Sequence, residues 1–137
     1  MILVDTGVLF ATADRDDPDH GPCDDLLTDR AGELVVPVPV AVECAWLIES
    51  RLGPAAETSF LRSATGGDEI RLENLTEEDW TRVIELVARY ADLPLGTVDA
   101  SVVAVAERLA VVQIATLDQR DFRVVRPRHT DAFELLP

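Results

Sequence analysis

The sequence contains no lysine: all twelve basic residues are arginine. That absence removes P-loop nucleotide chemistry, whose motif needs a Lys on the phosphates. Histidine is nearly as scarce, with only His20 and His129, so a zinc site has little to draw on. Cys23 and Cys44 fit neither a disulfide framework nor a zinc spacing, which points to the reducing cytoplasm. No stretch approaches the roughly 20 apolar residues of a membrane span, so no membrane partner is expected. Met1 to Val4 runs straight into Asp5 without a basic stretch and reads as a strand rather than a signal peptide.

What is present bounds the answer further. With 137 residues, 47% of them hydrophobic, residues 1–137 make one domain with a real core. A net charge of −14 argues against a general nucleic-acid binder, because phosphate backbones repel such a surface. It leaves room for one local basic strip or a metal-filled site.

Apolar periodicity alternates between strand and helix along the chain. Residues 1–5 read as a buried strand, and Thr6 to Ala13 as a short helix. Asp14 to Arg30 reads as a loop followed by a solvated helix. Glu33 to Val36 form a second strand, stopped by Pro37 and Pro39, before a helix over about Val40 to Leu52 with Gly53 as its C-cap. Pro54 opens a helix to about Thr65, and Ile70 to Leu75 is an edge strand. Thr76 caps a helix to about Ala91 whose apolar positions are Val83, Ile84, Val87 and Ala88. Another helix opens at about Thr97, and Val111 to Ala115 is a β-branched run that reads as a buried parallel strand. Arg123 to Thr130 is loop-like, and Ala132 to Leu136 is a last edge strand. The pattern predicts a three-layer α/β/α sandwich with a central, mostly parallel sheet of four to five strands.

Four acids stand out against this frame. Asp5 ends the first strand, where it could equally cap the next helix; Asp5-Thr6-Gly7 also matches the aspartic-protease triplet, but that fold is nearly all β. Glu43 is the only charged residue between Leu34 and Ile48. A carboxylate desolvated by such neighbours has a raised pKa unless a cation or hydrogen bonds compensate, and a buried ion pair with an Arg would also explain it. Asp99 opens a helix, where free N–H groups favour a carboxylate. Asp118 lies just beyond a strand's carboxyl end, the edge at which open α/β sheets bind ligands. Two carboxylates about 4 Å apart repel by roughly 4 kcal/mol at an effective dielectric of about 20, so four sharing one crevice need a cation. An oxygen-only set suits Mg²⁺ or Mn²⁺.

The chain resembles the PIN-domain ribonucleases, specifically the toxin half of VapBC-type toxin–antitoxin pairs. The resemblance rests on Asp5-Thr6, on Glu43 in its apolar helix and on Asp99-Ala100. It continues through Ala104-Val105-Ala106-Glu107-Arg108-Leu109 and Thr116-Leu117-Asp118-Gln119-Arg120-Asp121-Phe122. It implies an endoribonuclease in which Asp5, Glu43, Asp99 and Asp118 hold Mg²⁺ or Mn²⁺ and Thr6, Thr116 and Asp121 are auxiliary. It also implies a cognate antitoxin and a homodimer. Trp46, Leu47, Phe60 and Leu61 are candidates for the antitoxin groove. Arg120, Arg123, Arg126 and Arg128 lie close to Asp118 in sequence and are candidates for gripping the phosphates of an RNA substrate, whether tRNA, ribosomal RNA or message. The rivals are a non-catalytic α/β binding module, in which the acids are caps and ion pairs, and a metal-dependent phosphatase or DNA nuclease.

Overall fold

The structure, a computed structural model, describes residues 1–137. Strand β1 (Ile2–Val4) is followed by helices α1 (Thr6–Ala13) and α2 (His20–Asp29). Strand β2 (Leu34–Pro37) leads into α3 (Val38–Leu52) and α4 (Pro54–Thr65). Strand β3 (Ile70–Glu73) precedes α5 (Glu77–Arg89) and α6 (Thr97–Leu109). The chain ends with β4 (Gln113–Ala115), α7 (Gln119–Val124) and β5 (Glu134–Leu136).

All five strands are parallel, in the order β3-β2-β1-β4-β5. The sheet is therefore wholly parallel, with β3 and β5 at its edges as their sequences suggest. β1, β2 and the last two residues of β4 are buried, as a sheet covered on both faces requires. From β1 the chain builds outward through β2 and β3, then returns to add β4 on the other side of β1. The order thus reverses between β1 and β4, and a crevice opens there at the carboxyl ends of the strands.

Local sequence explains most element ends. Pro37 and Pro39 do not form a gap between strand and helix. β2 runs through Pro37, and α3 starts at Val38 with Pro39 in its first turn, where the missing N–H costs nothing. Gly53 sits at φ 91° between α3 and α4, a backbone region that Gly enters without a Cβ penalty. Thr76 caps α5 reciprocally with Asp79. Arg123 to Thr130 reads as loop, whereas Arg123 and Val124 form the last residues of the short helix α7.

The buried stripe of α5 is not the apolar one expected. Ile84 is 68% exposed and Ala88 is exposed, whereas Asp79, Arg82, Val83 and Leu86 are buried. Ion pairs to α6 turn the helix this way. Arg82 holds Glu107 at 2.7 Å and Asp79 holds Arg108 at 2.9 Å. α6 itself is the core helix, buried without a break from Ala100 to Ala106.

Candidate functional site

The reversal between β1 and β4 sets the site. Val4 pairs with Ala115, so Asp5 and Thr116 leave adjacent strands at the same height. One Asp5 oxygen accepts the Thr6 N–H at 2.8 Å and caps α1; the other accepts the Thr116 hydroxyl at 3.0 Å. The same Thr116 hydroxyl accepts the Asp118 N–H at 3.0 Å. One fully buried side chain thereby fixes two acids on neighbouring strand exits. Asp5 is at once a helix cap and a wall of the cleft, so its two sequence readings do not compete.

Asp5, Glu43, Asp99 and Asp118 all line one cleft of about 650 Å³, together with Thr6, Gly7, Leu47, Gly96, Thr97, Val98 and Leu117. α3 contributes Glu43, and the first turn of α6 contributes Asp99. Glu43 differs from its expectation: it is exposed at the cleft rather than desolvated, and no arginine pairs with it. Its apolar neighbours in sequence point elsewhere because successive helical residues turn by about 100°. Cys44 and Ala45 go to the core, while Val42 and Trp46 face outward.

The tightest grouping within the site is Asp99, Asp118 and Asp121, with one carboxylate oxygen from each within 4.8 Å of the others. Asp121, auxiliary by the resemblance, stands beside Asp99 and Asp118 in this grouping. Its contribution is visible only once α7 folds back over the strand exit. At such separations each ionised pair repels by roughly 3 kcal/mol at an effective dielectric of about 20. The Asp99 carboxyl is pushed up from 3.8 to about 7, by burial first and then by the charges of Asp5, Asp118, Asp121 and Glu43. Burial also raises Asp5, against the hydrogen bonds from Thr6 and Thr116. Asp121 is raised by desolvation and by Asp118, with Arg120 pulling the other way.

The donor set is entirely oxygen, as a hard divalent cation prefers. None of the seven ion pairs in the molecule touches Asp5, Glu43, Asp99, Asp118 or Asp121. The buried Thr6 hydroxyl in the same cleft has no hydrogen-bond partner. Uncompensated carboxylates and an orphaned hydroxyl together fit a site made for a cation and its water.

The basic residues after Asp118 divide. Arg128 is committed to Glu85 at 2.7 Å and leaves the phosphate-gripping set. Arg123 donates to Gln119 within α7. Arg120 and Arg126 are exposed and make no ion pair. The four apolar groove candidates separate as well. Leu47 belongs to the acidic cleft, and Trp46 and Leu61 stand 64% and 43% exposed. Phe60 lines a different groove of about 340 Å³ between α1, α2 and α4, with Leu9, Leu27, Leu34, Ala56 and Ile70. Helical phase disperses what adjacency in sequence had grouped.

Comparison with known proteins agrees with this architecture. A PIN-domain family model matches residues 2–126. Ribonuclease VapC26 of Mycobacterium tuberculosis (strain ATCC 25618 / H37Rv) is 32% identical over 136 residues, covering 99% of this chain and 100% of the relative. Among solved structures, Mycobacterium tuberculosis VapC20, a sarcin–ricin-loop-cleaving toxin, superposes with a TM-score of 0.78 at 22% identity over 83% of this chain and 87% of its own. VapBC2 of Rickettsia felis, bound to a DNA fragment from its promoter, matches with a TM-score of 0.71 at 13% identity over 100% of both chains.

Proposed function

The chain belongs to the PIN-domain family, among its VapC-type ribonuclease toxins, and from that membership we propose a metal-dependent endoribonuclease that a cognate antitoxin restrains. The observation that carries the metal assignment is the convergence of Asp5, Glu43, Asp99 and Asp118 on one cleft with no arginine to neutralise them. We assign Asp5, Glu43, Asp99 and Asp118 to holding Mg²⁺ or Mn²⁺, with Asp121 joining Asp99 and Asp118. A bound divalent ion supplies Lewis acidity and a water of lowered pKa for phosphodiester hydrolysis.

The chain's own residues do the rest. Thr116 holds Asp5 and Asp118 in register, so neither acid has to be ordered at the moment of binding. The Thr6 hydroxyl, without a protein partner, is free to donate to a cation-bound water or a phosphate oxygen. Arg120, Arg123 and Arg126, all exposed, are assigned to gripping the backbone phosphates on an otherwise repellent surface.

The neighbours include toxin–antitoxin complexes such as one from Klebsiella pneumoniae, which supports an antitoxin partner here. Its apolar anchors fit the α1–α2–α4 groove, and Asp24 and Glu69 at that groove favour basic flanks. A homodimer and a cytoplasmic setting complete the reading. The experiment presents tRNA, ribosomal RNA, messenger RNA, DNA and a phosphomonoester side by side, with Mn²⁺ and with chelator. RNA alone should be cut, only with metal, and Asp5→Asn and Asp99→Asn should abolish cutting while remaining folded. Cleavage retained in both variants or in chelator refutes the assignment. Preference for DNA or the phosphomonoester favours the rival enzymes instead.

A further inference from the structure

Apolar side chains also line the acidic cleft: Leu47, Val98 and Leu117. Leu47 and Val98 are half-buried against the core, whereas Leu117 is 38% exposed. None of the other exposed large apolar side chains lines that cleft. The placement of Leu117 is fixed from both strand exits. The Thr116 N–H donates to the Leu136 carbonyl at 2.9 Å, and the Asp118 N–H donates to the Thr116 hydroxyl at 3.0 Å, closing a turn around Leu117. The side chain then lies across Gly7: a Cβ there would meet the Cβ, Cδ1 and Cγ of Leu117 at 3.6, 3.7 and 3.9 Å. Gly7 directly follows Asp5-Thr6 in the first turn of α1. Leu117 therefore sits between Asp118 on its own strand exit and the Asp5-Thr6 exit next to it. Folding leaves much of its apolar surface in water, so a ligand that covers it gains what the core did not.

We propose that Leu117 is a specificity-determining contact, packing against the base of a nucleoside that flanks the scissile phosphate. This rests on the ribonuclease reading above. A phosphate seated at the acids carries a nucleoside on each side, and one of them reaches the side chain immediately before Asp118. Carboxylate walls repel further phosphates but not a neutral base, whose face is the surface that Leu117 can cover. Such a contact needs the base out of its stack, so the nucleotide at the cut is unpaired.

The test uses the shortest RNA, carrying the mapped cut, that the wild-type protein still cleaves. The base on each side of the cut is removed in turn, leaving an abasic ribose. At one of the two positions wild-type kcat/KM should fall about tenfold, the scale of about two methylene groups left in water. Leu117→Ala should show that same fall on the intact RNA and no further fall on the abasic one. Leu117→Met, which keeps a long apolar side chain, should recover most of the loss. Mn²⁺ affinity in Leu117→Ala should match the wild type, because the Thr116 tether to Asp118 is untouched. The assignment is overturned, with the ribonuclease reading left standing, by any of four results: abasic RNAs cut as fast as intact RNA, intact RNA cut as fast by Leu117→Ala, multiplied losses when variant meets abasic RNA, or weakened Mn²⁺ binding in the variant. A wild-type protein that neither binds nor cuts any RNA of the panel overturns both.

Discussion

Asp99→Asn should stabilise the metal-free protein, and only above the acid range. In the fold the Asp99 carboxyl is raised to about 7, whereas in the unfolded chain it returns to 3.8. Below 3.8 both states carry the proton and the site adds no penalty. Between those values the unfolded chain ionises first, so stability falls as pH rises; above about 7 the loss is complete. At about 1.4 kcal/mol per pH unit the full penalty is about 4 kcal/mol, and solvent reaching the open cleft screens it to about 2 kcal/mol. Asn, which never ionises, relieves that amount, equivalent to roughly 6 °C in Tm for a domain of this size. Thermal melts of both proteins in chelator at pH 4 and pH 8 measure it directly: near-equal Tm values at pH 4, and the variant higher at pH 8. Mn²⁺ should reverse the order at pH 8, since binding at a hundred times Kd adds about 2.7 kcal/mol to the wild type. A variant no more stable at pH 8, or equally stabilised at both pH values, refutes the view that Asp99 sits among uncompensated like charges.

Thr116→Ser should keep both hydrogen bonds and most activity, while Thr116→Ala should lower kcat/KM about a hundredfold by freeing Asp5 and Asp118; equal activity in the two variants rules out the tether. Glu107→Ala should cost about 3 kcal/mol in urea unfolding, because Arg82 and the Arg128 N–H lose their partner in a largely buried pair; a loss under about 1 kcal/mol contradicts the burial of that network. Cys44, buried and with its thiol pushed up to about 12, should resist a thiol reagent at pH 8 until the protein is unfolded; native-state labelling there refutes its burial.

Much of the frame is legible in the residues themselves. The apolar runs at residues 1–5, Glu33–Val36 and Val111–Ala115 locate the three central strands, Pro54 marks the first position of α4, and Thr76 caps α5. Asp5 and Asp118 could be placed at the crevice because each directly follows a buried strand or its exit. Asp99 could be placed because it opens a helix.

What local pattern misjudged shares one cause. Glu43 looked buried by its neighbours along the chain, yet helical phase turns it to the cleft while Cys44 goes inward. Ile84 looked like core, yet Glu107 and Arg108 on another helix pull Arg82 and Asp79 into the interface and rotate Ile84 out. Arg128 reads equally as a phosphate grip or an ion-pair partner, and Glu85, distant in sequence, decides it by pairing with it.

The sequence by itself determined the alternation of strand and helix, the lack of lysine and scarcity of histidine, and which carboxylates were unexplained by their surroundings. Only the tertiary structure decided that Asp121 joins Asp99 and Asp118 within 4.8 Å, and that Thr116 bridges two strand exits. The division follows from the range of the forces. Capping, turn formation and periodicity act over a few residues, so they are written locally. Carboxylate repulsion and cross-strand hydrogen bonds depend on distances that only the folded sheet sets.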